Sequence, residues 1–243
     1  MLILALDSTA QTATVSVCDD EKLLSCHVLQ NGNTHSETLL PMVQSALRSL
    51  SLTVNDIGLF ACSAGPGSFT GVRIGVSTVK GLAFGKNVPC IGVSTLEALA
   101  YNLIGSDGLV CPLMDARRAQ VYTALFSVCG GHLERKIPDS ALSLSELDGL
   151  LCKRLADDRR PLRFVGDGYA LAERGLPGAF ATGLTCPTPE LLRMQNAYSV
   201  AQIALARYRA GDRTSDSALT PVYLRPCQAE RERADRLASE GMH

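Results

Sequence analysis

The chain contains no tryptophan, and aromatic residues make up only 5% of its 243 positions. That excludes an open aromatic platform for stacking single-stranded nucleic acid. It also lacks an excess of either charge: 23 basic side chains face 24 acidic ones, for a net charge of −1. A protein whose main work is gripping phosphate backbone over a wide surface is therefore disfavoured, although an auxiliary role beside nucleic acid stays open. Histidine is scarce, at His27, His35, His132 and His243. His35 opens a predicted helix, but the position one turn on is Leu39, so no paired metal ligand shares its face. No C-x-x-C occurs among the nine cysteines, which argues against a zinc knuckle or a thioredoxin-type pair. Most cysteines lie in apolar runs such as Phe60-Ala61-Cys62 and Val88-Pro89-Cys90-Ile91. They read as reduced core thiols of a cytosolic protein. No stretch approaches the roughly 20 apolar residues a membrane helix needs. The opening residues MLILALD are too short and too uncharged for a signal segment. The expectation is a cytoplasmic protein without membrane contact.

The remaining composition is that of a globular protein, 46% hydrophobic and 19% charged, sized for one large domain or two lobes. Internal similarity favours two lobes. Residues 2–7 (LILALD) form an apolar run ending in Asp7, followed by alternating 12–18 (TATVSVC), an Asp19-Asp20 turn and a third strand at 22–30. The order returns in 109–115 (LVCPLMD) ending in Asp115, then 120–128 (QVYTALFSV), a Gly130-Gly131 turn and a strand opening at His132. Matching order across three strands points to duplication.

Helices follow each meander. Thr34-x-x-Glu37, Ser94-x-x-Glu97 and Ser143-x-x-Glu146 have the spacing of capping boxes. They predict helices over about 36–50, to about Leu103, and to about Ala156. Strands are predicted at 57–64, 88–93 and 161–165, and a Gly-rich helix at 70–84. Leu191, Leu192, Met194, Ala197, Val200, Ala201, Ala204, Leu205 and Tyr208 give one long helical pattern over about 189–210, stopped at Gly211. An extended segment follows at 221–225. A repeated β-β-β-α-β-α unit is the pattern of the actin-like, Hsp70-like (ASKHA) fold, a duplicated ribonuclease-H-type α/β architecture. The expected division is an N-terminal lobe 1–105, a C-terminal lobe 106–227 and a flexible charged tail 228–243. In that architecture the turn after the first strand of each lobe reaches the cleft, which makes Asp7, Ser8, Thr9 and Asp115 the candidate phosphate or nucleotide contacts.

The motifs weaken that chemistry. Gly65-Pro66-Gly67-Ser68-Phe69-Thr70-Gly71 leads from a strand into a helix, a placement suited to anions. Its spacing matches neither G-x-G-x-x-G nor G-x-x-x-x-G-K-[ST]. The cleft turns Asp7-Ser8-Thr9 and Asp115-Ala116-Arg117-Arg118 have no glycine to cradle a phosphate. Gly71 and Gly75 share a helical face, with Ser77, Thr78 and Gly81 nearby. Each interior glycine costs about 1 kcal/mol in a helix, so something packs very close to this one. A helix of the same chain or of a partner would serve, with Arg73 as its polar rim.

LILALDSTAQTATVSV, THSETLLPMV, AGPGSFTGVRIGVSTVKGLA, IGVSTLEALA, MDARRAQVYTALF and TPVYLR together resemble the TsaB (YeaZ) family. The likeness runs from about residue 2 to residue 225. It implies a non-catalytic subunit in forming threonylcarbamoyl on the adenosine beside the anticodon of tRNAs that read codons beginning with A. It further implies a metal-bearing catalytic paralogue, TsaD, as partner, an ATPase, TsaE, in the assembly, a homodimer when alone, and tRNA met only through the complex. No cofactor, metal or catalytic residue of its own is implied. The paralogue carries an H-x-x-x-H metal pair, whereas this chain has His35 and Leu39. The Gly-rich helix with the first helix is the expected docking surface, through Leu39, Thr70, Gly71, Arg73 and Gly75, and Gly75→Leu is expected to block assembly while leaving the monomer folded. Two other functions remain open: an actin-fold ATP-dependent phosphotransferase using Asp7 and Asp115, and a metal-dependent endopeptidase-like protein. Whether Arg117 or Arg118 touches tRNA is open as well.

Overall fold

Apolar strands that end in short polar turns build two sheets of the same connectivity. The computed structural model describes residues 1–32, 34–117 and 119–225. In chain order the first half comprises β1 (Leu2–Asp7), β2 (Ala13–Asp19), β3 (Lys22–Leu29), α1 (His35–Ser49), β4 (Leu59–Gly65), α2 (Phe69–Ala83), β5 (Cys90–Ser94) and α3 (Thr95–Tyr101). The second half comprises β6 (Gly108–Asp115), β7 (Gln120–Cys129), β8 (His132–Ser143), α4 (Leu144–Asp157), β9 (Leu162–Val165), α5 (Tyr169–Gly175), α6 (Pro177–Ala181), β10 (Thr185–Cys186), α7 (Glu190–Arg193) and α8 (Ala197–Arg209).

The first sheet runs β3-β2-β1-β4-β5 and the second β8-β7-β6-β9-β10. In each, the first strand pairs antiparallel with the second and parallel with the fourth. The sheets therefore repeat one ribonuclease-H-type plan, the duplicated α/β architecture of the actin-like class. The central strands β1, β4 and β6 are near-continuous apolar runs because helices cover both faces.

On the first sheet, α1 and α2 cover one face, with Leu39, Val43, Val72, Val76 and Val79 packed on Leu4, Leu6, Val15 and Phe60. The opposite face is covered by α8, whose Val200, Ala201 and Ala204 meet Ile3, Ala5, Ala61 and Ile91. Helix α3 joins the halves. Its Ala98 belongs with the first sheet, while Leu96, Leu99 and Ala100 pack on Val110, Met114 and Phe126 of the second. Glu97 on α3 also accepts from Arg135 of β8 at 3.2 Å and Arg207 of α8 at 2.7 Å. Helices α4, α5 and α6 fill the far face of the second sheet. After α8 the chain straps the first half: the Cys90 N–H donates to Thr214 O at 2.8 Å, Leu219 enters the core, and the Val222 N–H donates to Ala64 O at 2.7 Å. Residues 197–225, expected with the second lobe, thus lie on the first. No helix among the described residues is long and apolar enough to cross a membrane.

Three local expectations change. The pattern over 189–210 is not one helix. Met194 adopts an extended conformation, and Asn196 restarts the helix with its side chain accepting from the Tyr198 N–H at 3.0 Å. Competition from this side-chain cap outweighs the apolar periodicity. Thr34 precedes α1 but gives it no side-chain cap; its hydroxyl accepts from Ser36 at 3.2 Å. Ser94 does accept from the Glu97 N–H at 3.3 Å, yet the Glu97 carboxylate turns to the two arginines. Of the three predicted boxes, Ser143 and Glu146 alone complete the reciprocal pair. Of the described cysteines, Cys18, Cys62, Cys90 and Cys111 are buried, Cys26 and Cys129 are exposed, and Cys152 and Cys186 are in between. The expected tail 228–243 lies outside the described residues, as do Cys227 and Arg118.

Candidate functional site

The loop at 65–71 and the start of α2 wrap the turn that follows β1. The Ser68 N–H donates to Thr9 O at 2.7 Å, and the Ser8 hydroxyl donates to Gly71 O at 2.8 Å. A Cβ on Gly71 would stand 2.0 Å from Ser8 O, one on Gly67 2.5 Å from Thr9 O, and one on Gly75 2.8 Å from Ser8 Oγ. The object packed against the glycine face of α2 is therefore the chain's own β1 turn. This corrects the expectation that a partner helix uses that face. Gly71, Gly75 and Leu39 are all buried within the protein, so Gly75→Leu would break the fold rather than leave a folded monomer.

The same turn is closed to phosphate. Asp7, Ser8 and Thr9 are each 1% exposed. Asp7 Oδ1 accepts from the Thr9 N–H at 2.8 Å and the Thr9 hydroxyl at 2.7 Å, and Oδ2 accepts from the Ser63 hydroxyl at 2.5 Å. Burial raises the Asp7 carboxyl above its usual range, against the hydrogen bonds from Ser63 and Thr9. Both carboxylate oxygens are thus engaged inside the lobe, and Asp7 does not face the cleft. His35 meets the same region, its Nε2 lying 2.6 Å from Ala10 O.

In the second half the matching turn is open. Asp115 is exposed, and its Oδ1 accepts from the Arg117 N–H at 2.7 Å. The Asp115 N–H points to Asp167 Oδ1 at 3.3 Å. Asp167 is surface-exposed, yet the lobe packed behind its carboxyl withdraws solvent and pushes it up to about 6. Arg117 holds a left-handed backbone, φ 62, and Ala116 O accepts from Arg225 at 3.3 Å.

The outward face of α2 carries an aromatic and cationic cluster. Thr70 and Arg73 are exposed there. Arg73 lies 3.9 Å over the Phe69 ring, one helical turn earlier, and its Nε donates to the Tyr223 hydroxyl at 2.9 Å. Phe69 and Tyr223 stack with centroids 5.0 Å apart. Phe69, Leu40, Tyr223 and Val222 remain 36%, 45%, 41% and 50% exposed. Of the expected docking residues, the structure brings Thr70 and Arg73 to this surface and keeps the other three inside. Phe69 and Tyr223 were not among the candidates. Their signal lay in the quoted segments GPGSFTG and TPVYLR, which nothing in sequence spacing links.

Three outcomes follow. Gly71→Ala is expected to cost about 3 kcal/mol or more, because backbone meets the new methyl, and a denaturant melt reads it; an unchanged midpoint contradicts the packing. Asp7→Ala, which strands the Ser63 hydroxyl and Thr9 N–H in a dry site, is expected to cost about 2–4 kcal/mol; a loss below 1 kcal/mol, on the order of a surface change, contradicts it. Asp167 has a folded-state value of about 6, above the roughly 3.9 of an unfolded chain. The folded state therefore gains relative stability as pH falls between those values. Asp167→Asn is expected to stabilise at neutral pH and to lose that advantage by about pH 4, as the wild-type-minus-variant difference in midpoint shows; a pH-independent difference contradicts the assignment.

Comparison with known proteins places this geometry. Residues 30–233 match the family described as TsaD: tRNA N6-adenosine threonylcarbamoyltransferase. The tRNA threonylcarbamoyladenosine biosynthesis protein TsaB of Bacillus subtilis is 34% identical over 75% of this chain and 78% of its own length. Its namesake in Escherichia coli is 39% identical over 51% and 54%. The solved structure of YeaZ from Pseudomonas aeruginosa superposes with TM-score 0.75 at 25% identity, covering 92% of this chain and 99% of that one. With its duplicated fold and a β1 turn sealed by the Gly-rich helix, the chain belongs to the TsaB (YeaZ) family, within the wider family that the TsaD description covers.

Proposed function

We propose that this chain is a non-catalytic subunit in the biosynthesis of threonylcarbamoyladenosine in tRNA, acting by docking onto a TsaD-type catalytic paralogue. The single observation carrying the proposal is the outward face of α2, where Phe69, Arg73 and Tyr223 form a pre-ordered aromatic and cationic cluster; Leu40 of α1 is exposed as well. Aromatic residues and arginine are the groups that interface centres concentrate. Here their rotamers are already fixed by one another, which lowers the entropy lost on binding. A contact of about 800 Å² per partner is ordinary for such a face. In this proposal a TsaE-type ATPase joins the assembly, tRNA is met through the complex, and the isolated chain forms homodimers through the same face.

The name of the Bacillus subtilis relative supports the tRNA modification role. A phosphotransferase centred on Asp7 has no support from the geometry, since both oxygens of that carboxylate are bound within the lobe. The word peptidase occurs in the description of one solved neighbour. Among the described residues, no group of three or more His, Cys, Asp or Glu side chains is arranged to hold a metal ion.

Arg73→Glu reverses the charge at the centre of the cluster without touching the core. It is expected to weaken association with the catalytic paralogue about 30-fold or more, on the order of 2 kcal/mol for a central residue, while leaving the melting midpoint nearly unchanged. Titration of labelled paralogue reads the first quantity and thermal unfolding the second. Undiminished affinity with a folded variant would overturn the placement of the docking face.

A further inference from the structure

A cavity of about 260 Å³ opens between the two halves. Its walls come from the β1–β2 turn and the end of β3 on one side, and from the loops after β9 and around α7 on the other. It is separate from the outer face of α2, and its content does not depend on whether that face docks a partner.

Three features of the lining call for a ligand. Gln195 is 3% exposed, and its Nε2 has no hydrogen-bond partner among the described residues. A buried amide donor left unpaired costs about 1–3 kcal/mol, so a molecule that brings an acceptor is favoured there. Arg193 is held in place rather than loose: its Nε donates to Thr188 O at 2.6 Å and its guanidinium lies 3.5 Å over the Tyr169 ring. Yet it forms no ion pair among the described residues, and neither do Asp167 and Glu190, which line the same cavity. Opposite charges that line one small cavity without meeting each other suit a guest carrying both signs.

We infer that this cavity binds a small zwitterion of α-amino-acid size, its carboxylate taken by Gln195 Nε2 and Arg193 and its ammonium by Asp167 and Glu190. The amide groups of Gln11 and Gln30 at the first-lobe wall offer both donors and acceptors to the remaining polar atoms. A nucleoside triphosphate does not fit the chemistry. The volume lies below the range of about 300–1,000 Å³ usual for larger ligands, and two carboxylates against one guanidinium repel a polyanion.

Isothermal titration of the purified chain with L-threonine and L-glutamine as probes tests the assignment, with their N-acetyl derivatives and ATP as further arms. The expected result is saturable binding of at least one amino acid with a Kd of about 1 mM or tighter. N-acetylation, which removes the ammonium, and Gln195→Met, which removes the amide at similar volume, are each expected to weaken binding at least tenfold. Should Gln195→Met fail to fold, Glu190→Gln on the exposed rim supplies the test, with weaker binding of the amino acid expected. Absence of saturation by both amino acids, equal affinity for the acetylated forms, affinity unchanged by the folded variants, or ATP binding more tightly in competition with the amino acids would each overturn the inference.

Discussion

Backbone-to-backbone contact between the β1 turn and α2 is the constraint on which the rest of this structure depends. The carbonyls of Ser8 and Thr9 reach within 2.5 Å or less of where side chains on Gly67 and Gly71 would begin. Only glycine permits that approach, and the helix accepts Gly71 and Gly75, at about 1 kcal/mol each, to allow it. The contact fixes α2 against the first sheet, buries Asp7 beneath the turn, and so directs Phe69, Thr70 and Arg73 outward. One packing decision thereby buries the β1 turn and leaves the Phe69, Thr70 and Arg73 side of α2 exposed.

Asp7 is held as a structural group inside the first lobe. Its carboxylate is met by the Thr9 backbone, the Thr9 hydroxyl and Ser63, and desolvation raises its proton affinity. Such a group ties β1 to β4 across the parallel pair. Asp115, at the equivalent place in the second half, remains exposed, with its carboxylate accepting from the Arg117 N–H of its own turn. The duplicated lobes have diverged in chemistry while keeping the same strand order.

Much of the fold was legible in the sequence because period-two apolar runs and acid-terminated strands recur in the same order. β1, α2 and β7 fall within a residue or so of their expected bounds, since burial on both faces leaves little freedom. The break at Met194–Asn196 was not legible, because a polar side-chain cap overrides an unbroken apolar pattern. Nor were the short α5, α6 and β10, whose few residues carry too little periodicity. At the site, the glycines signalled close packing, but sequence could not say which of two surfaces occupied them. Arg73 and Thr70, expected as part of a small-residue docking surface, do stand exposed on α2. Tyr223 was missed because it sits on the strap that follows α8 while its partner Arg73 is on α2, and no local spacing connects the two.

The central claim is that this chain assists a modification reaction by contact and performs none of it alone. Reconstitution with a TsaD-type paralogue, its ATPase partner and substrate tRNA tests that most directly, by quantifying the threonylcarbamoylated adenosine with and without the chain. The account predicts modification only when chain and paralogue are both present, and none from the chain by itself. Equal product in its absence, or turnover by the purified chain alone, would contradict it.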